Sequence, residues 1–211
     1  MCFNYKVSLL TFAIGTTFSL LLIYKGNKKY TKENHVFGIF GLFIALIQFM
    51  EFIFWIDIKN KYCLNKLATI IGPILNVGQP LILYGIKKMI YVSNFGLIEI
   101  INMIYFLFII KMYYKFINNE KLITKTNMKS KHLEWPWLKY SNPELYLIVF
   151  AINIFYLTNK SNFNYELMFF LITYTFLLIS VKYFYYSAGQ MWCFFGAFIP
   201  FIMFIMSYKL I

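Results

Sequence analysis

Residues 36–56 read VFGIFGLFIALIQFMEFIFWI, a run whose only charged residue is Glu51. About 20 such residues in a helix span the roughly 30 Å hydrocarbon core of a bilayer. An open strand of the same residues would leave its peptide groups without partners in lipid. The period-2 alternation of a membrane barrel strand is absent. The run reads as a membrane helix. Working outward, further apolar runs occupy 7–24, 67–86, 95–114, 144–158, 165–184 and 190–208, so seven crossings are expected. The run at 144–158 is short, follows Pro143 and carries Asn153. Six crossings with a re-entrant segment is therefore the alternative. The expected fold is an all-α polytopic transmembrane bundle, one domain over residues 1–211, with a single long polar loop at 115–143.

Composition agrees. Hydrophobic residues make up 61% and charged residues 13% of the chain, against about 25% charged in an average soluble domain. Mean hydropathy is +0.64. The first run, 7–24, is long for a signal-peptide core and no small-residue cleavage site follows it, so it reads as a retained crossing. Cys2 just ahead of it offers a position for acylation, with no further sequence support. The bias toward Lys, Ile, Asn, Phe and Tyr is that of an AT-rich coding sequence.

The net charge of +12 comes from lysine alone, because the chain has no arginine. A nucleic-acid reader draws on arginine for bidentate contacts, so that partner is not expected. Lysines at the ends of apolar helices snorkel toward headgroups. The expected partners are a bilayer with anionic headgroups and, beyond it, other membrane proteins or further copies of the chain. With seven crossings, twelve lysines lie on the side of the N-terminus and eight on the opposite side. The positive-inside rule then favours a cytoplasmic N-terminus, a preference that rests on the long loop. A sequon at Asn159, Lys160 and Ser161 lies on the opposite side, compatible with a lumenal space there. Within the long loop, Trp135 and Trp137 flank Pro136 just ahead of a run, as interfacial anchors do, and Trp55 and Trp192 sit at the ends of other runs.

Ionisable and amide side chains inside a membrane helix are costly and mark sites. Gln48, Glu51 and Trp55 share one helical face by their spacing. Gln190, Trp192 and Cys193 open the last run on the same side, where Gln190 is placed to hydrogen-bond Glu51 and relieve its burial. Cys63 lies on that side too, so spacing permits a Cys63–Cys193 disulfide, which would need an oxidising space there. Two membrane-edge thiols are the plainer reading. On the other half, Gly72-Pro73 and Gly78-Gln79-Pro80 interrupt one run, with Asn76 between them and Glu99 and Asn102 in the next. Such breaks free carbonyls and line ion or substrate paths in transporters. A three-plus-one-plus-three internal repeat is conceivable from these breaks.

Glu51 and Glu99 fall toward opposite faces, so no carboxylate dyad is expected. The sequence has no paired histidines, no nucleophile elbow and no phosphate loop. The scattered Cys2, Cys63, Cys193, His35 and His132 lack metal-ligand spacing. Neither an enzyme, a metal site nor a cofactor is expected.

The residues Met50-Glu51-Phe52-Ile53-Phe54-Trp55, Cys63 with Asn65, Gly78-Gln79-Pro80, and Ala188-Gly189-Gln190-Met191-Trp192-Cys193 resemble uncharacterised multi-pass proteins of giant DNA viruses. The resemblance spans nearly the whole chain through short motifs. It implies a viral membrane protein, in the virion's inner membrane or in host membranes, and carries over no catalytic residue. The expected function is a structural or interaction component of such a membrane. A small channel or transporter lined by Glu51, Asn76, Gln79 and Glu99 is the alternative.

Overall fold

The apolar runs become helices whose ends are set by polar caps. The computed structural model describes residues 4–92, 95–126, 132–184 and 187–209, so Cys2 lies outside the described residues. Among the described residues there are nine α-helices: α1 (Tyr5–Lys25), α2 (Thr31–Ile56), α3 (Leu64–Val77), α4 (Gln79–Tyr91), α5 (Leu97–Asn119), α6 (Pro143–Phe155), α7 (Phe163–Tyr183), α8 (Ala188–Gly196) and α9 (Ile199–Lys209). Two short strands, β1 (Lys125–Thr126) and β2 (Leu133–Glu134), pair antiparallel between α5 and α6. Asparagine side chains accept from the first-turn peptides of α1, α6 and α7: Asn4 from Val7 at 3.0 Å, Asn142 from Leu145 at 2.8 Å and Asn162 from Tyr165 at 3.1 Å. Each cap satisfies a donor that the helix itself cannot.

The third and last apolar runs are each broken. Pro80 has no N–H and its ring crowds the carbonyl one turn back, so the run bends by 59° at Gly78 into α3 and α4. The last run bends by 42° between α8 and α9, just ahead of Pro200. Four helices, α1, α2 with its preceding turn, α5 and α7, are long and apolar enough to cross a bilayer alone, and each bent pair taken as one span raises the number to six. The expected segment at 144–158 falls short. Its helix ends at Phe155, because Leu157 turns left-handed (φ 63°) and a 3-10 turn follows. At 13 residues, α6 is about 20 Å long.

The connections sort to two ends of the bundle. At one end, Asn65 and Thr124 pair, and Gln190 reaches Leu133. At the other, Lys160 Nζ donates to the Val92 carbonyl at 2.7 Å, the Asn162 N–H to Glu33 at 2.7 Å, and the Asn27 N–H to Ser207 at 3.3 Å. Helix α6 covers the α4 half of that distance, from Tyr146 at the bend to Ile154 beside Lys87, and the 136–140 turn ahead of it lies against α3.

Helix α2 is the axis. It buries Val36, Phe40, Ile44, Ile47 and Phe54 and packs against α1, α3, α4, α8 and α9. Gly41 lets α9 approach, since a Cβ there would lie 2.5 Å from Pro200 Cγ. Peripheral helices keep large apolar residues exposed, among them Leu10 on α1, Met103, Ile104 and Leu107 on α5, and Leu171 and Leu178 on α7. Exposed apolar stripes on several helices suit lipid rather than water as the surrounding medium.

Helix α5 runs on to Asn119, so the long connection spans 120–142, and part of it folds into the bundle. Asn65 pairs with the Thr124 peptide, its Nδ2 donating to the Thr124 carbonyl and its Oδ1 accepting the Thr124 N–H, both at 2.9 Å. The two tryptophans expected in an interfacial belt turn inward instead. Trp135 and Trp137 are buried and stacked, 5.0 Å between ring centroids. The hole for Trp137 is Gly72, where a Cβ would lie 2.4 Å from the indole ring. Trp192 is buried as well, and Trp55 is half-buried.

Candidate functional site

The two interrupted runs meet. Asn76, in the last turn of α3, and Gln79, in the first turn of α4, flank the bend. Their amide nitrogens point at Cys193 Sγ, one turn ahead of the α8–α9 break, at 3.7 and 3.8 Å. Asn76 Oδ1 accepts from the Trp137 indole at 3.4 Å, and Gln79 Oε1 accepts from the Tyr146 hydroxyl of α6. Carbonyls at the bend accept from neighbouring helices. The Tyr105 hydroxyl of α5 donates to the Val77 carbonyl at 2.8 Å and Asn153 Nδ2 of α6 to the Pro80 carbonyl at 3.0 Å. Asn153 and Asn102 complete the set with a reciprocal amide pair at 2.8 and 2.9 Å. In lipid, a bend survives only when its freed peptide groups find such partners.

Residues that the sequence divides between two halves thus form one polar junction through Asn76, Gln79 and Cys193. Glu51 is buried near Cys193. Gln48 sits on the same face and turns to α1, accepting from Thr11 Oγ1 at 3.0 Å. The expected bond between Gln190 and Glu51 is not made. Gln190 Nε2 donates to the Leu133 carbonyl at 3.0 Å, tying α8 to the 120–142 connection. Both described thiols are free: Cys63 is exposed at the start of α3 and Cys193 is enclosed within α8, so no disulfide joins them. Among the described residues no group of three His, Cys, Asp or Glu side chains could hold a metal ion.

A cavity of about 310 Å³ adjoins the junction, lined by Asn76, Tyr146, Gln190 and Trp192 and by apolar side chains of α6 and α7. Gln190 Oε1 is buried and has no hydrogen-bond partner. A larger cleft of about 1110 Å³ lies on the outer side of α4 and α5, walled by apolar residues such as Ile82, Met103 and Phe106.

Glu99 lies at the opposite end from Glu51, as its position predicts. It accepts from the Gly96 N–H at 2.8 Å, caps the start of α5 and pairs with Lys88 at 3.0 Å. The Tyr156 hydroxyl also donates to it, at 2.5 Å. These contacts hold Glu99 in a capping ion pair, away from the junction.

Sequence reasoning missed a buried ion pair. Lys87 is 0% exposed and Glu166 1%, and they form an ion pair. Lys87 Nζ also donates to the Ile154 carbonyl at 2.5 Å, while Thr158 and Ser161 donate to Glu166 at 2.9 and 2.7 Å. Glu33 of α2, also buried, stands nearby and adds to the field on Lys87. The apolar run ends at 86, which makes Lys87 look like a loop lysine. The available signal was periodicity: Pro80, Leu83, Lys87 and Tyr91 form one buried stripe once α4 is carried to Tyr91.

Two charged features lie outside the spans. Burial works against the charge on Asp57, but backbone donors from Tyr62, Asn65, Leu64 and Lys61 outweigh it and hold its carboxyl below the ordinary value. Hydrogen bonds from Lys139, 2.8 Å away, and from Tyr140 lower Glu120 in the same direction. What these observations define is an all-α helical protein with four to six candidate membrane spans. Comparison with family models, with curated proteins and with solved structures finds no match for the chain.

Proposed function

We propose that this chain is a multi-pass integral membrane protein acting as a small transporter or channel, with its site at the junction of the two interrupted helices. One observation carries the reading: the amides flanking the α3–α4 bend converge on Cys193, next to the α8–α9 break, beside a cavity. Broken helices paired inside a bundle are a recurring way to build a solute site in membrane proteins. We further propose seven crossings, with α6 as a thin one completed by the segment ahead of it, because Trp137 sits against α3, Tyr146 at the bend and Tyr156 at the Glu99 end. A cytoplasmic N-terminus belongs to the same proposal and rests on the lysine distribution. So do anionic headgroups and further copies of the chain as partners.

The second reading is a structural or interaction component of a viral or host membrane. It draws support from the buried Lys87–Glu166 pair, which braces one end of the bundle, and from the motif resemblance. Reconstitution in liposomes separates the two. The transporter reading expects flux of an ion, of protons or of a small neutral solute, lost in Gln79→Leu while helicity is retained and melting falls no further than in Tyr146→Phe, which breaks the same hydrogen bond. Absence of flux across that panel would sink it in favour of the structural role.

A further inference from the structure

We propose that two copies of the chain pair in the bilayer through α5, the outward ridge of each seated in the other's cleft between α4 and α5. The inference rests on reading α5 as a membrane crossing, and it names the surface through which a further copy binds. The cleft, of about 1110 Å³, is lined along α5 from Glu99 to Asn118. At 1.5 Å per residue that stretch is about 28 Å long, close to the whole hydrocarbon thickness of a bilayer. A lipid chain covers one leaflet, whereas a membrane helix fills such a cleft from end to end. Gly85 points the same way. It sits in the middle of α4 and lines the cleft, and a Cβ built on it meets no atom within 4 Å. A mid-helix glycine weakens its helix relative to alanine, and nothing inside this chain takes up the space it leaves. Between membrane helices, small residues let a neighbouring backbone come close.

The chain itself carries the matching ridge. Ile100, Ile104 and Leu107 follow an i, i+4, i+7 line on α5, are exposed, and lie outside the lining of the cleft. Gly85 is one turn in from Lys88, which pairs with Glu99, so it stands level with the second turn of α5. A two-fold axis along the membrane normal keeps every residue at its own depth, and so sets Ile100 and Ile104 of one copy against Gly85 of the other. Lys111 continues the same line, is exposed, and makes no hydrogen bond or ion pair among the described residues. Within a span an ammonium needs an oxygen. The second copy's cleft offers two at that end, the Tyr114 hydroxyl and Asn118 Oδ1, since Asn118 commits its Nδ2 to the Tyr114 carbonyl at 2.9 Å. Covering the exposed side chains between Ile100 and Tyr114 buries roughly 700 Å² per copy, near the ~800 Å² per partner of a standard stable interface.

The test counts subunits by single-molecule photobleaching of the full chain, carrying a C-terminal fluorescent tag, in liposomes of falling protein density. The wild type should bleach in two steps until high dilution. Gly85→Leu should shift the midpoint of association at least tenfold toward higher density while its melting temperature holds or rises, because leucine is the better helix former and meets open space within its own chain. Ile104→Ala, at a residue the fold leaves exposed, should shift the midpoint in the same direction, and Leu178→Ala on α7 should not. The seat is read by disulfide formation in the membrane between differently tagged chains, each otherwise free of cysteine. A Gly85→Cys chain should join an Ile104→Cys chain and not a Leu178→Cys chain. Single bleaching steps at every density, the result if lipid alone fills the cleft, would overturn the proposal. So would a Gly85→Leu chain that pairs as the wild type does, or pairing without the bond between positions 85 and 104. Two-step bleaching without any liposome flux would sink the transporter reading alone. Flux from a wild type that bleaches in single steps would sink this pairing alone.

Discussion

At one end of the bundle a lysine and two glutamates are packed out of solvent, with Lys87 bonded to Glu166 and to a backbone carbonyl from α6. Around the bend of α3 and α4 the hydrogen-bonded groups are neutral amides and a thiol, with the buried Glu51 beside them, and one acceptor, Gln190 Oε1, has no donor. The two regions differ in what their buried polar groups require. A buried charge tolerates no vacancy, so the Lys87 knot must stay assembled and fixes how α4, α6 and α7 meet. A neutral amide tolerates a missing partner at modest cost, so the junction can leave Gln190 Oε1 unpaired and keep a cavity beside it.

The largest effect should come from breaking the charged end. Lys87→Met leaves Glu166 buried without its cation and should cost about 3–5 kcal/mol of stability, read as a lowered melting temperature in detergent. The double variant Lys87→Met with Glu166→Met should recover most of that loss. Lys88→Met, which removes a cation about a third exposed, should cost less than about 1 kcal/mol. Equal losses for Lys87→Met and Lys88→Met would erase the distinction between the ends.

Next in size is the seat of the folded-in connection. Gly72→Ala puts a methyl where Trp137 sits and should cost about 1–3 kcal/mol through overpacking. It should also speed maleimide modification of Cys193, because Trp137 is one of the covers over Asn76 and the junction. A destabilised variant whose Cys193 stays protected would show that the connection does not guard the cavity. Asn65→Leu should weaken the same segment by about 1–3 kcal/mol, since it leaves the Thr124 carbonyl buried and unpaired. Limited proteolysis within 120–142 reads this directly.

The smallest expected effect is a pH dependence at the junction end. The folded carboxyl of Asp57 lies below its unfolded value of about 3.9, so its stabilisation is complete above that value and fades as pH falls through the folded one. Melting profiles of the wild type should therefore drop on acidification below about pH 4, and Asp57→Asn should flatten that part of the curve. A profile unchanged by the substitution would remove Asp57 as the support of the 57–65 turn.

Much of the scaffold was legible in the chain. Long apolar runs with lysines between them announce membrane helices, and Gly78-Gln79-Pro80 announces a bend because proline cannot complete the preceding turn. The number of spans was less legible, since the left-handed turn at Leu157 that shortens α6 has no glycine to mark it. Trp135 and Trp137 were misread because a tryptophan beside proline suits a headgroup belt as well as a core. What decides is Gly72, more than 60 residues away in sequence. The same distance hid the junction. Asn76 and Gln79 are legible as a break, and Cys193 as part of a polar helix start, but only tertiary packing brings them together. Lys87 was lost for a different reason: a hydropathy run stops at a charge, whereas a helix with a buried partner does not.

The claim beneath all of this is that the two ends of the bundle face opposite sides of a membrane. It is tested most directly in sealed vesicles with a membrane-impermeant maleimide, on a Cys2→Ser, Cys193→Ser background. Native Cys63 marks the junction end and Ser161→Cys the charged end. The account expects one of these to be modified only from outside and the other only after permeabilisation. Modification of both from the same side, or recovery of the chain in the soluble fraction after carbonate washing, would contradict it.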